Sequence, residues 1–389
     1  MTTVGRDTAG SVGTVGWDAR ARGERVNVLL EVAARCGKTR RRKAGKLASV
    51  SDWSVLEICA GGGGQAVGLE RAGFHHAAAV EIDSAACATL RLNRPSWKVL
   101  EQDVRALNGA DFKGVDLIAG GVPCPPFSIA GKQLGSDDER DLFPAALNLI
   151  QKAKPRAVLL ENVPGFASSR FDAYRNEILL QLTRMKMVPD WRILNACDFG
   201  VPQLRPRFVL VALREDVAEG FAWPTLNNRK TTVGEALRDL MAVRAWPGAN
   251  DWSLRASGIG PTVVGGSKKH GGPDLGPTRA RAAWAALGVD GRGVADQSPD
   301  PDFPIDQNPR LTVPMVARIQ GFPDDWAFSG KKTAAYRQVG NAFPPPVATA
   351  VGGAIYSALA GTSRTIRSRR RPFQPSLHVT QAEIKLEVG

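Results

Sequence analysis

Val55-Leu56-Glu57-Ile58-Cys59-Ala60-Gly61-Gly62-Gly63-Gly64 is the stretch on which the fold turns. Its first five residues form a short apolar run with the length of a buried strand. The glycines that follow allow a tight turn and let a ligand come close to the backbone. Residues 65–72 then read as a helix stopped by Gly73. A second strand is expected over residues 77–80, and Glu81 closes it, twenty positions past Gly61. A carboxylate there can accept the ribose hydroxyls of a nucleoside cofactor. Asp103 ends a third unit and can accept from an adenine amine. Further buried strands are expected over residues 116–119, 157–160 and 208–213. Strands alternating with helices indicate a parallel sheet, in outline a doubly wound α/β domain. At this point a Gly-rich turn plus an acid suits NAD as well as any other nucleoside cofactor, and a purely structural turn is also open.

The next signal is Gly120-Gly121-Val122-Pro123-Cys124-Pro125-Pro126-Phe127-Ser128. A lone cysteine is usually an inert core residue. Cys124, however, follows a buried strand and is braced by three prolines, which fix the loop and the direction of the sulfur. That places it at the carboxyl edge of the sheet, where open α/β folds bind ligands. Glu161 ends the next strand and is expected in the same crevice. In Gln203-Leu204-Arg205-Pro206-Arg207 the alternation predicts both guanidinium groups on one side, pointing into that crevice. A thiol, a carboxyl and two cations then share one site.

Composition bounds the rest. A chain of 389 residues can hold one large domain and a smaller lobe. No run of about 18 apolar residues predicts a membrane helix, and the N-terminus has no signal-peptide pattern. Cys36, Cys59, Cys87, Cys124 and Cys197 are odd in number, widely spaced and never in a CxxC pair. This argues against a disulfide framework and against zinc, and a reducing cytoplasm is the expected compartment. His75, His76, His270 and His378 show no ligand spacing, so no metal is expected. Of the net charge of +13, residues 1–50 carry +7 and residues 361–389 carry +4. Runs such as Arg40-Arg41-Arg42-Lys43 and Arg369-Arg370-Arg371 suit a polyanion, although solvated ends read the same way. After about residue 222 glycine, proline and tryptophan rise, and long periodic segments disappear. A short helix is conceivable over residues 25–34. Regular structure should resume near Leu311 with a helix through Arg318 and end with one over residues 346–359.

From about Trp53 to Leu359, apart from the variable insert, the chain resembles the DNA cytosine-5 methyltransferases. The Gly-rich turn, Val122 to Ser128, Glu161-Asn162-Val163, Gln203 to Arg207, Arg310 to Pro323 and Gln338 to Pro344 follow that family's motifs in family order. The resemblance implies a Rossmann-like S-adenosylmethionine-dependent methyltransferase domain with a smaller, loop-rich target-recognition domain. It implies Cys124 as nucleophile, Glu161 as the acid at cytosine nitrogen 3, and Arg205 and Arg207 holding the base. It implies cofactor contacts from Cys59, Gly61, Gly62, Gly64, Glu81 and Ile82. Further contacts are implied from Asp103, Val104, Pro123, Asn341 and Ala342. Cys59 departs from the family's usual Phe, and Ile82 from its common Trp, so an apolar wall with less stacking is expected. DNA contacts are implied at Ser128, Arg140, Gln203, Thr262, Lys268 and Lys269, with residues 128–141 as a closing loop. The implied partition is 1–50 basic extension, 51–222 catalytic and cofactor-binding, 223–309 target recognition, 310–360 returning to the catalytic domain, and 361–389 basic tail. A monomer acting on double-stranded DNA, within a restriction-modification system, is expected. RNA as substrate, with Cys197 as a second cysteine, and a non-catalytic DNA-binding regulator are the rival readings.

Overall fold

The computed structural model describes residues 52–123, 141–226, 229–266 and 272–361. Its centre is a seven-stranded sheet in the order β3-β2-β1-β4-β5-β7-β6. The strands are β1 (Ser54–Ile58), β2 (His75–Glu81), β3 (Val99–Glu101), β4 (Leu117–Gly121), β5 (Ala157–Asn162), β6 (Met187–Asn195) and β7 (Pro206–Arg214). The first five pair in parallel, as the alternation predicts. The sheet is not wholly parallel, because β7 runs antiparallel to both β5 and β6. β6 carries Pro189, which a central strand cannot accommodate without losing a ladder bond, and it lies at the sheet edge, where proline is tolerated.

Four of the five parallel strands are followed by an α-helix, while the β3–β4 crossover carries two short 3-10 turns. α1 (Gly64–Arg71) follows β1, α2 (Ser84–Asn93) follows β2, α3 (Phe143–Ala153) follows β4, and α4 (Asp172–Arg184) follows β5. Asp83 caps α2, its Oδ1 accepting from the amides of Ala85 at 3.0 Å and Ala86 at 3.2 Å. A single turn, α5 (Glu215–Ala218), follows β7. One face of the sheet is covered by α3 and α4 through Phe143, Ile150, Ile178 and Leu182. The other is covered by α1 and the C-terminal helix, which the sequence places at residues 346–359 and the structure at Pro345–Leu359. These two helices touch closely: a Cβ on Gly68 would stand 2.4 Å from that of Ala348.

The insert is more regular than its sequence suggests. It holds α6 (Val233–Ala242), α7 (Ala249–Arg255) and α8 (Thr278–Ala286). α6 begins with a reciprocal cap, Thr232 Oγ1 accepting from the Glu235 amide and Glu235 Oε2 from the Thr232 amide. Trp246, Trp252 and Trp284 are buried rather than displayed on loops. They share a cluster with Met315 of α9 (Val313–Gln320) and Tyr336 of α10 (Lys332–Asn341). We label the C-terminal helix α11.

Sheet order reverses between β1 and β4, so the turns after these neighbouring strands open a crevice at their carboxyl ends. The register sets Ile58 beside Val80 and Gly120, and Gly121 beside Glu161. The Gly-rich turn, Glu81, Pro123 and Glu161 therefore meet at one edge.

Candidate active site

After β4 the chain runs through Val122 and Pro123 to Cys124, which lies outside the described residues, as do Ser128, Arg140, Lys268 and Lys269. Asn162 at the end of β5 donates from Nδ2 to the Val122 carbonyl at 2.8 Å, and this fixes the segment that leads to the cysteine. Glu161 faces Gly121, where a Cβ would stand 3.1 Å from its Oε2. The bare glycine leaves the carboxyl open to the crevice. Arg207 Nε lies 2.9 Å from Glu161 Oε1, with both side chains only 11 % exposed. Burial pushes the Glu161 carboxyl up from its ordinary value, and the Arg207 and Arg205 charges draw it part of the way back. A cavity of about 450 Å³ opens on this pair, bounded also by Pro123, Asn162, Thr262 and Asn341.

A second cavity, of about 580 Å³, shares Gly121, Pro123, Glu161 and Asn341 with the first. This is the size range of sites that enclose a small cofactor. Cys59, Gly61, Gly62, Gly64, Glu81, Ile82, Asp103, Val104, Pro123, Asn341 and Ala342 all line it. Gly61 and Gly63 take φ of 55° and 91°, which glycine adopts without steric cost. Gly64 has a second reason to be bare: a Cβ would stand 2.4 Å from the Phe343 carbonyl. Glu81 is already engaged, its Oε2 accepting from the Gly61 amide at 2.7 Å and its Oε1 from the amides of Ile82 and Asp83, each at 2.8 Å. A carboxylate offers about four acceptor positions, so a ribose would find one strong position free rather than two. Asp103 reaches the cavity with its carboxylate gripped by Arg105, whose Nε lies 3.0 Å from both oxygens. The Cys59 thiol is pushed up to about 12, by burial first and then by the Glu81 and Asp103 charges, so it stays protonated.

A family model described as C-5 cytosine-specific DNA methylase matches residues 53–259 and 282–357. The chain belongs to that family. It is 56 % identical over 348 residues to the type II methyltransferase M.NaeI of Lentzea aerocolonigenes, covering 86 % of this chain and 84 % of that one. It is 52 % identical over 311 residues to M.NgoMIV of Neisseria gonorrhoeae, covering 79 % and 98 %. Among solved structures, the Entamoeba histolytica methyltransferase EhMeth superposes with a TM-score of 0.57 at 16 % identity, covering 79 % of this chain and 99 % of that one. The Dnmt2 methyltransferase of S. pombe does so with 0.53 at 20 %, covering 80 % and 99 %. These two likenesses speak to the fold. This DNA cytosine methyltransferase family needs a methyl donor and a DNA substrate, and the two adjoining cavities offer space for a donor and a base.

The structure separates the residues of the paired-arginine motif of this methylase. Arg207 faces the crevice. Arg205 does not: it is fully buried, with φ of 32°, and donates at 2.7 Å to the carbonyls of Val263, Gly340 and Ala342. The left-handed backbone breaks the strand-like alternation that predicted two guanidinium groups side by side. Gln203 is likewise no surface group. It accepts from the Val263 amide at 3.1 Å and donates to the Ile319 carbonyl at 3.1 Å, so it is buried and ties segments together. Thr262 sits at the mouth of the smaller cavity, half-buried. Cys197 lines neither cavity; it is buried, its thiol pushed up by burial and by Asp198. Among the described residues no group of His, Cys, Asp and Glu could hold a metal ion. None of their helices is long and apolar enough to cross a membrane. Sequence reasoning passed over Asn162 as a brace. It also passed over Glu57 and Gln65, whose signal was a carboxylate inside an apolar strand and an amide directly after the glycines.

Proposed function

We propose that this methylase uses S-adenosylmethionine to methylate carbon 5 of a cytosine flipped out of a specific duplex DNA site, through a covalent bond to Cys124. The observation that carries the reading is buried Glu161, on the wall shared by two cavities and paired with Arg207 of the smaller one, beside the segment leading to Cys124. The residues present fit the donor: a glycine turn for close approach, a fixed carboxylate at Glu81, apolar walls from Ile82 and Val104, and partnerless polar atoms at the cavity's inner end. The flipped base leaves the stack at a cost of a few kcal/mol. The Cys124 thiolate adds to carbon 6, and the electron pair of the 5,6 double bond moves into the ring toward nitrogen 3. Glu161, held up by burial, gives its proton there. Arg207 fixes the Glu161 carboxyl and offers further donors to the base. The bound donor supplies a methyl group to carbon 5, which addition at carbon 6 has made nucleophilic. Loss of the carbon-5 proton, with the nitrogen-3 proton returning to Glu161, restores the 5,6 double bond and expels Cys124 as a thiolate.

Residues 51–222 and 310–360 form the catalytic part in this reading, and residues 223–309 read the target sequence. The family model breaks between residues 259 and 282, inside that insert, as expected where related enzymes differ in target. The likeness to two enzymes named type II methyltransferases supports a role in restriction and modification. A monomeric enzyme of the cytoplasm is the matching setting.

The test is covalent capture. DNA with 5-fluorocytosine at the target should trap the enzyme in the presence of S-adenosylmethionine, since fluorine cannot leave as a proton does. Cys124→Ser should abolish the adduct. An adduct that persists unchanged in that variant would overturn the assignment.

A further inference from the structure

The two carbonyls that precede Cys124 are each held by the protein. That of Val122 accepts from Asn162 Nδ2 at 2.8 Å, and that of Pro123 accepts from the Leu142 amide at 3.3 Å. The two donors come from different elements. Asn162 ends β5, one residue after Glu161, and Leu142 stands directly before α3. Leu142 therefore holds Pro123 only as well as its own segment is held.

What holds that segment is Asp141. The sequence placed this residue at the end of a closing loop, yet it is only 7 % exposed. Its Oδ1 accepts from the Phe143 amide at 3.0 Å, and its Oδ2 accepts from the hydroxyl of Tyr174 in α4. A buried carboxylate needs such partners. The phenol, unlike the amide, brings in a second element. The Tyr174 ring packs edge-on against Phe143 and Phe166, with centroids 6.1 Å and 6.2 Å away. Its neighbour Arg175, buried, donates to the Phe166 carbonyl at 2.8 Å. Phe166 lies in the short turn Pro164–Ala167 that continues β5. The start of α4 is thus fixed to the stretch that follows Glu161.

Two lines of contact therefore run from the end of β5 to the residues before Cys124. One is direct, from Asn162 to Val122. The other passes through Phe166, Tyr174, Asp141 and Leu142 to Pro123. The reaction gives this arrangement a purpose. Cys124 bonds carbon 6 while Glu161 serves nitrogen 3 of the same ring, so thiol and carboxyl must keep one spacing. A misplacement of 1 Å costs about 10²-fold in rate. One tie at Val122 lets the chain turn about it, and a second at Pro123 removes that freedom.

We propose that Tyr174 is a positioning residue: through Asp141 and Leu142 it sets the approach to Cys124 relative to Glu161. This rests on the covalent reading given above.

The experiment is the rate of covalent capture on 5-fluorocytosine DNA, at saturating DNA and S-adenosylmethionine. It compares the full chain with Tyr174→Phe, Asp141→Ala and the double variant. Tyr174→Phe keeps the ring in its aromatic cluster and removes the hydroxyl. Capture should slow roughly ten-fold, as for a shift smaller than 1 Å. The Kd for DNA and for S-adenosylhomocysteine should stay as in the wild type, which also shows that the variant is folded. Since the hydroxyl acts through Asp141, the double variant should be no slower than Asp141→Ala alone. An unchanged capture rate in Tyr174→Phe would overturn the inference. A matching loss of DNA or S-adenosylhomocysteine affinity would also overturn it, because Tyr174 would then merely support the fold. So would effects of the two substitutions that multiply, since the residues would then act separately. A wild-type chain that formed no adduct would sink the covalent reading and this inference together, and the wild type alone reveals that outcome.

Discussion

In the proposed mechanism Glu161 hands over a proton, and burial, which raises its pKa from the ordinary carboxyl value, favours the form that still holds one. The opposing pull of Arg207 at 2.9 Å limits the rise and fixes the direction of the carboxyl. Since the acid works in its protonated form, and its pKa is raised, the active fraction is largest at low pH and falls as pH climbs through the shifted value. A rate set by this step should therefore decline on the alkaline side. Glu161→Gln keeps shape and a donor but has no proton to give. We expect its single-turnover rate to fall on the order of 10²-fold, as for loss of a positioned general acid, with the alkaline decline gone and DNA binding largely kept. Unchanged turnover would mean that another group neutralises the ring. The position of Glu161 was legible in the sequence because it simply ends a strand of apolar residues. Its ion pair was not, because Arg207 comes from an antiparallel neighbour that no local pattern announces.

Elements are held around this site by groups that the sequence led us to place inside it. Arg205 joins the approach to β7, the loop at Val263 and the end of α10 through three backbone carbonyls. Gln203 adds the end of α9. Thr262 and Asn341, which border the smaller cavity, are positioned by this knot. Removing Arg205 leaves the buried carbonyls of Val263 and Gly340 without its donors, while that of Ala342 keeps Gln320 Nε2 at 2.7 Å, and the loss is partly offset by relief from burying a cation. Arg205→Met should lower unfolding stability by about 2–4 kcal/mol, read from urea denaturation. A variant of normal stability with slow turnover would instead return Arg205 to the reacting base. The parallel strands and the first and last helices could be read from apolar runs, glycine stops and proline starts. Strand β6 could not, since Pro189 argues against any strand but an edge one. Helices α7 and α8 were hidden for another reason: each buries little besides one tryptophan, Trp252 or Trp284, so no apolar period stands out, whereas Val233, Leu237 and Met241 give α6 a helical spacing that the sequence reading passed over. Long-range packing, visible only in three dimensions, decides both.

The whole molecule divides its charge unevenly, with +11 of the +13 in residues 1–50 and 361–389, outside every motif. Phosphate contacts raise affinity for any sequence and weaken with salt, whereas base contacts select the site. The two properties should therefore be separable by cutting the chain in different places. Deleting both basic ends should leave the methylated sequence unchanged. It should weaken binding to all DNA at low salt and flatten the dependence of affinity on salt. Exchanging residues 223–309 for the insert of a related methylase should do the reverse, moving the target while the chemistry survives. That exchange has a structural cost, since Trp252 and Trp284 share one core with Met315 and Tyr336. A graft must therefore bring residues that fill the same space, or it will fail by unfolding and not by misreading. Mapping methylated cytosines for both proteins, with salt slopes for the truncated one, decides the matter. A target that moved when only the ends were removed would refute the division between steering ends and reading insert. A salt slope that stayed the same would show that the charged ends do not touch DNA at all.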